Sequence, residues 1–137
     1  MNRVAIVGGR TFNSYPILKM AMFHVFGTLN INKKNTIVNN GTAKGADKLG
    51  ALFATNHEIP VLDFKPDWNS LGKKAGILRN EEMSNKSDIV VAFWDGFSVG
   101  TSHMIDYSQK HGKIVFVFNY EGVLQHVYNY ENVQNRN

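Results

Sequence analysis

Short apolar runs alternate along this chain with stretches in which apolar residues recur every three or four positions. Arg3 to Val7 carries a short continuous apolar run, the mark of a strand buried on both faces. Gly8-Gly9-Arg10-Thr11-Phe12 breaks it. Asn13 or Ser14 can cap the next helix, with Pro16 in its first turn and Leu18, Ala21, Met22 and Val25 on one face. Gly27 is the expected stop, and Asn30 to Asn35 form a polar connector.

Thr36 to Val38 read as a second strand. The loop Asn39 to Asp47 opens a helix that runs to about Asn56, with Ala46, Leu49, Gly50 and Phe53 on one face. Ile59 to Phe64 form a third strand, and Pro60 places it at a sheet edge or at a strand start. Lys65 to Ser70 form a loop, and a helix is expected from about Leu71 to Lys86. Asp88 to Trp94 hold the strongest strand, and Asp95 to Thr101 a glycine-bearing loop. A fourth helix then carries Thr101, Met104, Ile105 and Ser108 on one face, with Gly112 as its stop, before a fifth strand at Ile114 to Phe118.

Five alternations of strand and helix, with the central strands apolar on both faces, specify an α/β protein. The expected architecture is a Rossmann-like doubly wound sheet of five mainly parallel strands, order 3-2-1-4-5, with helices on both faces. Ligands bind such sheets outside the carboxyl ends of the strands, where the order reverses. That point lies between strands one and four. Loops one, two and four then become neighbours, and these are the three that carry glycine.

The length of 137 residues fits one domain, read as 1–118 with a C-terminal extension at 119–137. A domain of that size buries roughly two-thirds of its unfolded surface and needs no metal or disulfide. There are no cysteines, which excludes disulfides, thiolate metal sites and cysteine nucleophiles and fits a cytoplasmic protein. The net charge of +4 is spread, with Lys33-Lys34 and Lys73-Lys74 as the lysine pairs, so it favours anionic ligands but forms no nucleic-acid arm. The first apolar run is too short for a signal-peptide core, and no stretch reaches the ~20 apolar residues of a membrane helix. The five histidines show no metal-ligand spacing, and no metal or cofactor is expected.

The three loops hold the candidate chemistry. A strand that ends in glycine and opens a helix offers unpaired N–H groups and a partial positive charge to an anion. In the first loop, Gly8-Gly9-Arg10-Thr11 is not GxGxxG, and no acidic residue ends strand two as a dinucleotide site requires. It reads either as a tight turn or as a ligand contact, and Arg10 at a strand's carboxyl end can grip phosphate bidentately. In the second, Gly41, Lys44 and Gly45 lack the Lys-Ser/Thr of a Walker A motif. Asp47 there is either a dipole-favoured first-turn residue or a partner for a ribose. In the fourth, Ser98, Gly100 and Thr101 suit a phosphate, Gly96 stands in the same loop, Asp95 is a candidate partner for a ribose, and Ser98 or Thr101 also serves as a helix cap. Gly72, Ala75, Gly76 and Arg79 place small residues and one charge on one helix face, for packing or for a ligand.

Four motifs in this order resemble the YspA/YpsA-related branch of the SLOG superfamily, which also holds DprA and the Lonely Guy phosphoribohydrolases. They are Val7 to Phe12, Asn40 to Asp47, Asp67-Trp68 with Ala75 to Met83, and Asp95 to Thr101. The resemblance covers about residues 3 to 118. It implies a Rossmann-like fold, a pocket for a nucleotide-derived small molecule, and homodimers or higher homo-oligomers. Lonely Guy enzymes cleave nucleoside monophosphates through Arg-Lys-x-x-Met and Pro-Gly-Gly-x-Gly-Thr-x-x-Glu. Arg79 and Met83 match, but Asn80 replaces the Lys. Gly100-Thr101 align, Gly96, Phe97 and Ser98 replace Pro-Gly-Gly, and the catalytic Glu position falls on Met104.

A thioether can neither stabilise an oxocarbenium ion nor activate water. The sequence therefore favours binding of a phosphorylated nucleoside, by a sensor or a sequestering protein, over N-glycosidase or phosphoribohydrolase action. Catalytic residues are unassigned, with Arg79, Glu82 and Asp47 as candidates. A nucleic-acid module is the weakest reading, since no aromatic-basic stripe is present.

Overall fold

The computed structural model describes residues 1–135. Six strands form one sheet in the order β3-β2-β1-β4-β5-β6, from β1 (Asn2–Gly8), β2 (Thr36–Asn40), β3 (Val61–Asp63), β4 (Ile89–Phe93), β5 (Ile114–Phe118) and β6 (Leu124–Tyr128). All neighbours are parallel except β5 and β6. The helices are α1 (Tyr15–Leu29), α2 (Ala46–Asn56), α3 (Trp68–Leu71), α4 (Ala75–Asn85) and α5 (Val99–Lys110).

The alternation of side chains along each strand divides the core between two faces. Val4, Ile6, Val38, Ile89, Val91 and Phe93 pack with Leu18, Met22 and Val25 of α1 and Phe53 of α2. Ala5, Val7, Val90, Ala92, Val115 and Val117 face the other way, onto Met83 of α4 and Met104 and Ile105 of α5. Helices on both faces are what a parallel sheet requires.

The Rossmann-like fold and the order β3-β2-β1-β4-β5 match the pattern of the sequence, and four details differ. A sixth strand follows a turn in which the Asn119 side chain accepts from Glu121 and Val123 N–H, each at 2.9 Å. It pairs Val115 with Tyr128, so the segment after Phe118 extends the same sheet. Positions 136 and 137 of the expected extension lie outside the described residues. Helix α1 passes Gly27 to end at Leu29, where Asn30 takes the left-handed cap (φ 53°) and its N–H donates to the Gly27 carbonyl at 3.3 Å. The helix expected from Leu71 is broken: α3 ends at Gly72 (φ 58°), a single 3-10 turn covers 72–74, and α4 begins at Ala75. Strand β3 is shorter than the Ile59 to Phe64 run, because Pro60 meets β2 only through its carbonyl, which accepts from Val38 N–H at 2.9 Å. No helix among the described residues is long and apolar enough to cross a membrane.

Candidate functional site

Loop one leaves β1 between two neighbours. Gly9 N–H donates to the Phe93 carbonyl of β4 at 3.1 Å, and the Gly9 carbonyl accepts from Ala46 N–H, the start of α2, at 3.3 Å. Loop two lies directly against it. Gly45 has φ 76°, and a Cβ there would come within 2.7 Å of the Arg10 carbonyl carbon and oxygen. Only glycine joins the two backbones so closely.

Loop two is also tied to α4. Arg79 donates through Nη1 to the Gly41 carbonyl and through Nε to Asn80 Oδ1 at 2.9 Å. A Cβ at Gly41 would lie 2.7 Å from both Arg79 Nη1 and Asp47 Oδ2. The missing side chain is what lets these two charged groups approach across the loop. Asp47 is 4% exposed. Its Oδ2 accepts from Ala43 N–H at 3.1 Å, and its backbone carbonyl accepts from Asn40 Nδ2 at 2.6 Å.

Burial raises the Asp47 carboxyl above its ordinary value, against the Ala43 hydrogen bond and the attraction of Arg79 and Arg10. Burial lowers Arg79, with the Asp47 charge opposing and the Arg10 charge assisting. In both groups desolvation outweighs the mutual attraction. Asp47 and Arg79 therefore hold charge at a cost to the fold, a feature concentrated in functional sites.

Loop four closes the other side. Asp95 Oδ1 accepts from Phe97 and Ser98 N–H, each at 2.8 Å, and these bonds lower its pKa. Trp94 Nε1 donates to the Ser98 carbonyl at 3.0 Å, and Ser98 Oγ lies 3.2 Å from Thr101 Oγ1. Asn80 Nδ2 reaches the Gly100 carbonyl at 3.2 Å, joining α4 to the first turn of α5.

These elements surround a cavity of about 490 Å³. Of the sequence-predicted residues, Gly8, Gly9, Arg10, Thr11, Asp47, Arg79, Asn80, Asp95, Ser98, Gly100 and Thr101 line it. Gly41 and Gly45 do not; they shape its floor from behind. Lys44 and Gly96 are exposed and are not among the residues that line it. Glu82 is exposed on α4 and is also outside the cavity, because its neighbour Met83 takes the inward position. Of the three catalytic candidates, Asp47 and Arg79 thus share the site and Glu82 does not.

The cavity also holds residues that sequence pattern did not assign to it. Tyr120 arrives from the β5–β6 turn, sets its hydroxyl 3.0 Å from Thr11 Oγ1 and packs its ring on Phe12 at 5.2 Å. Trp68, Lys73 and Ile77 come from the α3–α4 segment. Tyr120 and Lys73 fall outside every motif, and Trp68 and Ile77 stand in the third motif without an assigned ligand role; the place of these residues depends on the break at Gly72 and on the sixth strand. Met104, the position of the Lonely Guy carboxylate, lines the cavity at 1% exposure.

The model of the YspA, cpYpsA-related SLOG family, YAcAr, matches residues 2–70, about half of the chain. The chain belongs to the YAcAr family. The Gene 61 protein of Mycobacterium phage D29 is 34% identical over 124 residues, covering 86% of this chain and 97% of that protein. Among solved structures, DNA processing protein A (DprA) from Streptococcus pneumoniae superposes with a TM-score of 0.66 at 18% identity, over 86% of this chain and 50% of that one. The structure of TM1055 gives 0.59 at 22% identity, over 84% and 72%. DprA from Helicobacter pylori, described for its single-stranded DNA binding mode, gives 0.60 at 18%, over 98% and 72%. At these identities the structural neighbours show the fold alone. The matched YAcAr segment contains loops one and two and ends beside Trp68, so α4 and loop four lie beyond it.

Proposed function

We propose that the cavity at the carboxyl ends of β1, β2 and β4 binds a phosphorylated nucleoside or a nucleotide-derived small molecule, as a sensor or sequestering protein does. The observation that carries this reading is the convergence of Arg10 and Arg79 with the first turn of α5 on one cavity. Residues 99–101 open that helix, where backbone N–H groups have no intrahelical partner and favour an anion. The Ser98 and Thr101 hydroxyls add donors. Arg10, Lys73 and Arg79 outnumber Asp47 and Asp95 among the lining charges, which suits an anionic ligand. The volume lies within the roughly 300–1,000 Å³ of small-molecule sites. Membership of the SLOG superfamily supports the nucleotide class.

The buried Asp47 favours one second reading, N-glycosidic cleavage of nucleoside monophosphates. Against it, the Asp47 carboxylate is engaged by Ala43 N–H and flanked by Arg79, and Met104 stands at the Glu position of the Lonely Guy motif. Incubation with nucleoside monophosphates should release no free base. Release that Asp47→Ala abolishes would establish the enzyme instead. The homo-oligomer implied for the family belongs to the same proposal, and light scattering on the eluting protein reads it directly.

The binding reading is tested by denaturing the purified protein and examining the released small molecules by mass spectrometry. A nucleotide-derived ion in stoichiometric amount is expected. Stoichiometric release of a ligand with no base or phosphate would contradict it.

A further inference from the structure

We infer that Trp68 is a stacking platform for the base of the bound nucleotide. The inference rests on the binding reading above and adds to it the orientation of the ligand. A tryptophan is largely buried in most folds. Trp68 instead borders the cavity and is 50% exposed.

The local structure holds the ring in that place. Asp67 caps α3 by accepting from Ser70 N–H at 3.2 Å, and Leu71 N–H donates to the Asp67 carbonyl at 2.9 Å. Gly72, with φ 58°, turns the chain at once into α4. The edge of the ring then reaches Gly76, where an added Cβ would sit 3.4 Å from Trp68 Cη2. The absent side chain at Gly76 leaves room for that edge beside α4.

Along α4, Gly76, Arg79, Asn80 and Met83 follow the spacing of one helix face, and all four line the cavity. Arg79 comes about 4.5 Å further along the axis than Gly76. The cavity wall therefore carries an aromatic ring at the Gly76 end and, about one helical turn further on, the Arg79 guanidinium with the Asn80 amide beside it. A nucleoside monophosphate likewise carries a flat base at one end and a phosphate at the other. Ile77, 47% exposed, adds apolar surface to the same wall. Base–aromatic stacking tolerates any base, since each has a π-face.

The test is calorimetric titration with adenosine, guanosine, cytidine and uridine monophosphates and with ribose 5-phosphate. It compares the intact protein with Trp68→Ala and Trp68→Phe. The intact protein should bind at least one nucleoside monophosphate more tightly than ribose 5-phosphate. Trp68→Ala should weaken that nucleotide by roughly 10- to 100-fold and leave ribose 5-phosphate unchanged. Trp68→Phe should retain most of the affinity. Nucleotides but not ribose 5-phosphate should quench the indole fluorescence of the intact protein, and Trp68→Phe should lose that quenching. Unchanged nucleotide affinity in Trp68→Ala, or equal weakening of both ligands, would overturn the stacking role while the binding reading stands. If no nucleotide binds the intact protein, the binding reading falls and the stacking role falls with it.

Discussion

Replacing Arg79 by methionine removes a charge from the centre of the site while keeping the aliphatic stem. Three losses follow from the structure. The Gly41 carbonyl loses its charged donor, and Asn80 Oδ1 loses Nε. Asp47, 4% exposed, loses a counter-charge that faces it across Gly41. A hydrogen bond to a charged group contributes about 1.5–3 kcal/mol. The two groups do not form a direct ion pair, so the electrostatic part is smaller, about 1 kcal/mol. The expected loss is therefore about 2–4 kcal/mol at pH 7, read from urea denaturation with the slope unchanged.

This loss should depend on pH. The folded Asp47 pKa already lies above the ordinary 3.8, and removal of Arg79 raises it further. An acid with a raised folded pKa destabilises the fold when ionised, and that penalty vanishes below the unfolded value. The Arg79→Met deficit should accordingly shrink as pH falls toward 4. For the same reason Asp47→Asn should restore about 1 kcal/mol to Arg79→Met at pH 7. A deficit under about 0.5 kcal/mol, or one that grows on acidification, would refute the reasoning.

Gly45→Ala places a Cβ against the Arg10 backbone at φ 76°, and should cost about 2–4 kcal/mol by chemical denaturation while weakening ligand binding. Ser84→Ala strands the buried Ser108 hydroxyl that it meets at 2.7 Å, and should cost about 1–2 kcal/mol. The double variant Ser84→Ala/Ser108→Ala should recover part of that loss, because no unpaired hydroxyl is left. The Asp95 carboxyl should titrate below 3.8 by NMR, its bonds to Phe97 and Ser98 N–H stabilising the loop above that pH and being lost as pH falls through the lowered value.

Much of the site was legible because its parts are strand ends. Continuous apolar runs at 4–7 and 89–93 mark buried parallel strands, and the order of such a sheet brings their glycine loops together. Arg10, Asp47, Arg79 and Thr101 could then be placed in one cavity from sequence. The rest depended on tertiary structure. Strand β6 is mostly exposed, and its Leu-Gln-His-Val-Tyr sequence becomes a strand only because β5 offers a free edge. Tyr120 reaches Thr11 only through that hairpin. The cavity stripe of α4 continues the Gly72, Ala75, Gly76, Arg79 spacing to Asn80 and Met83, so Met83 faces inward and Glu82 stays in solvent. Lys44 looked like a phosphate ligand from its neighbours in sequence. Loop two meets loop one through its backbone at Gly45, and Lys44 is exposed outside the cavity lining.

Thermal unfolding with a panel of nucleoside monophosphates, diphosphates and cyclic nucleotides tests the binding site most directly. Ligand at 100 times its Kd stabilises by roughly 2.7 kcal/mol. For 137 residues this corresponds to a rise in Tm of about 9 °C. At least one nucleotide should produce such a shift, and Arg79→Met should abolish it. A panel in which no nucleotide moves the Tm by more than about 1 °C at millimolar concentration would contradict the account.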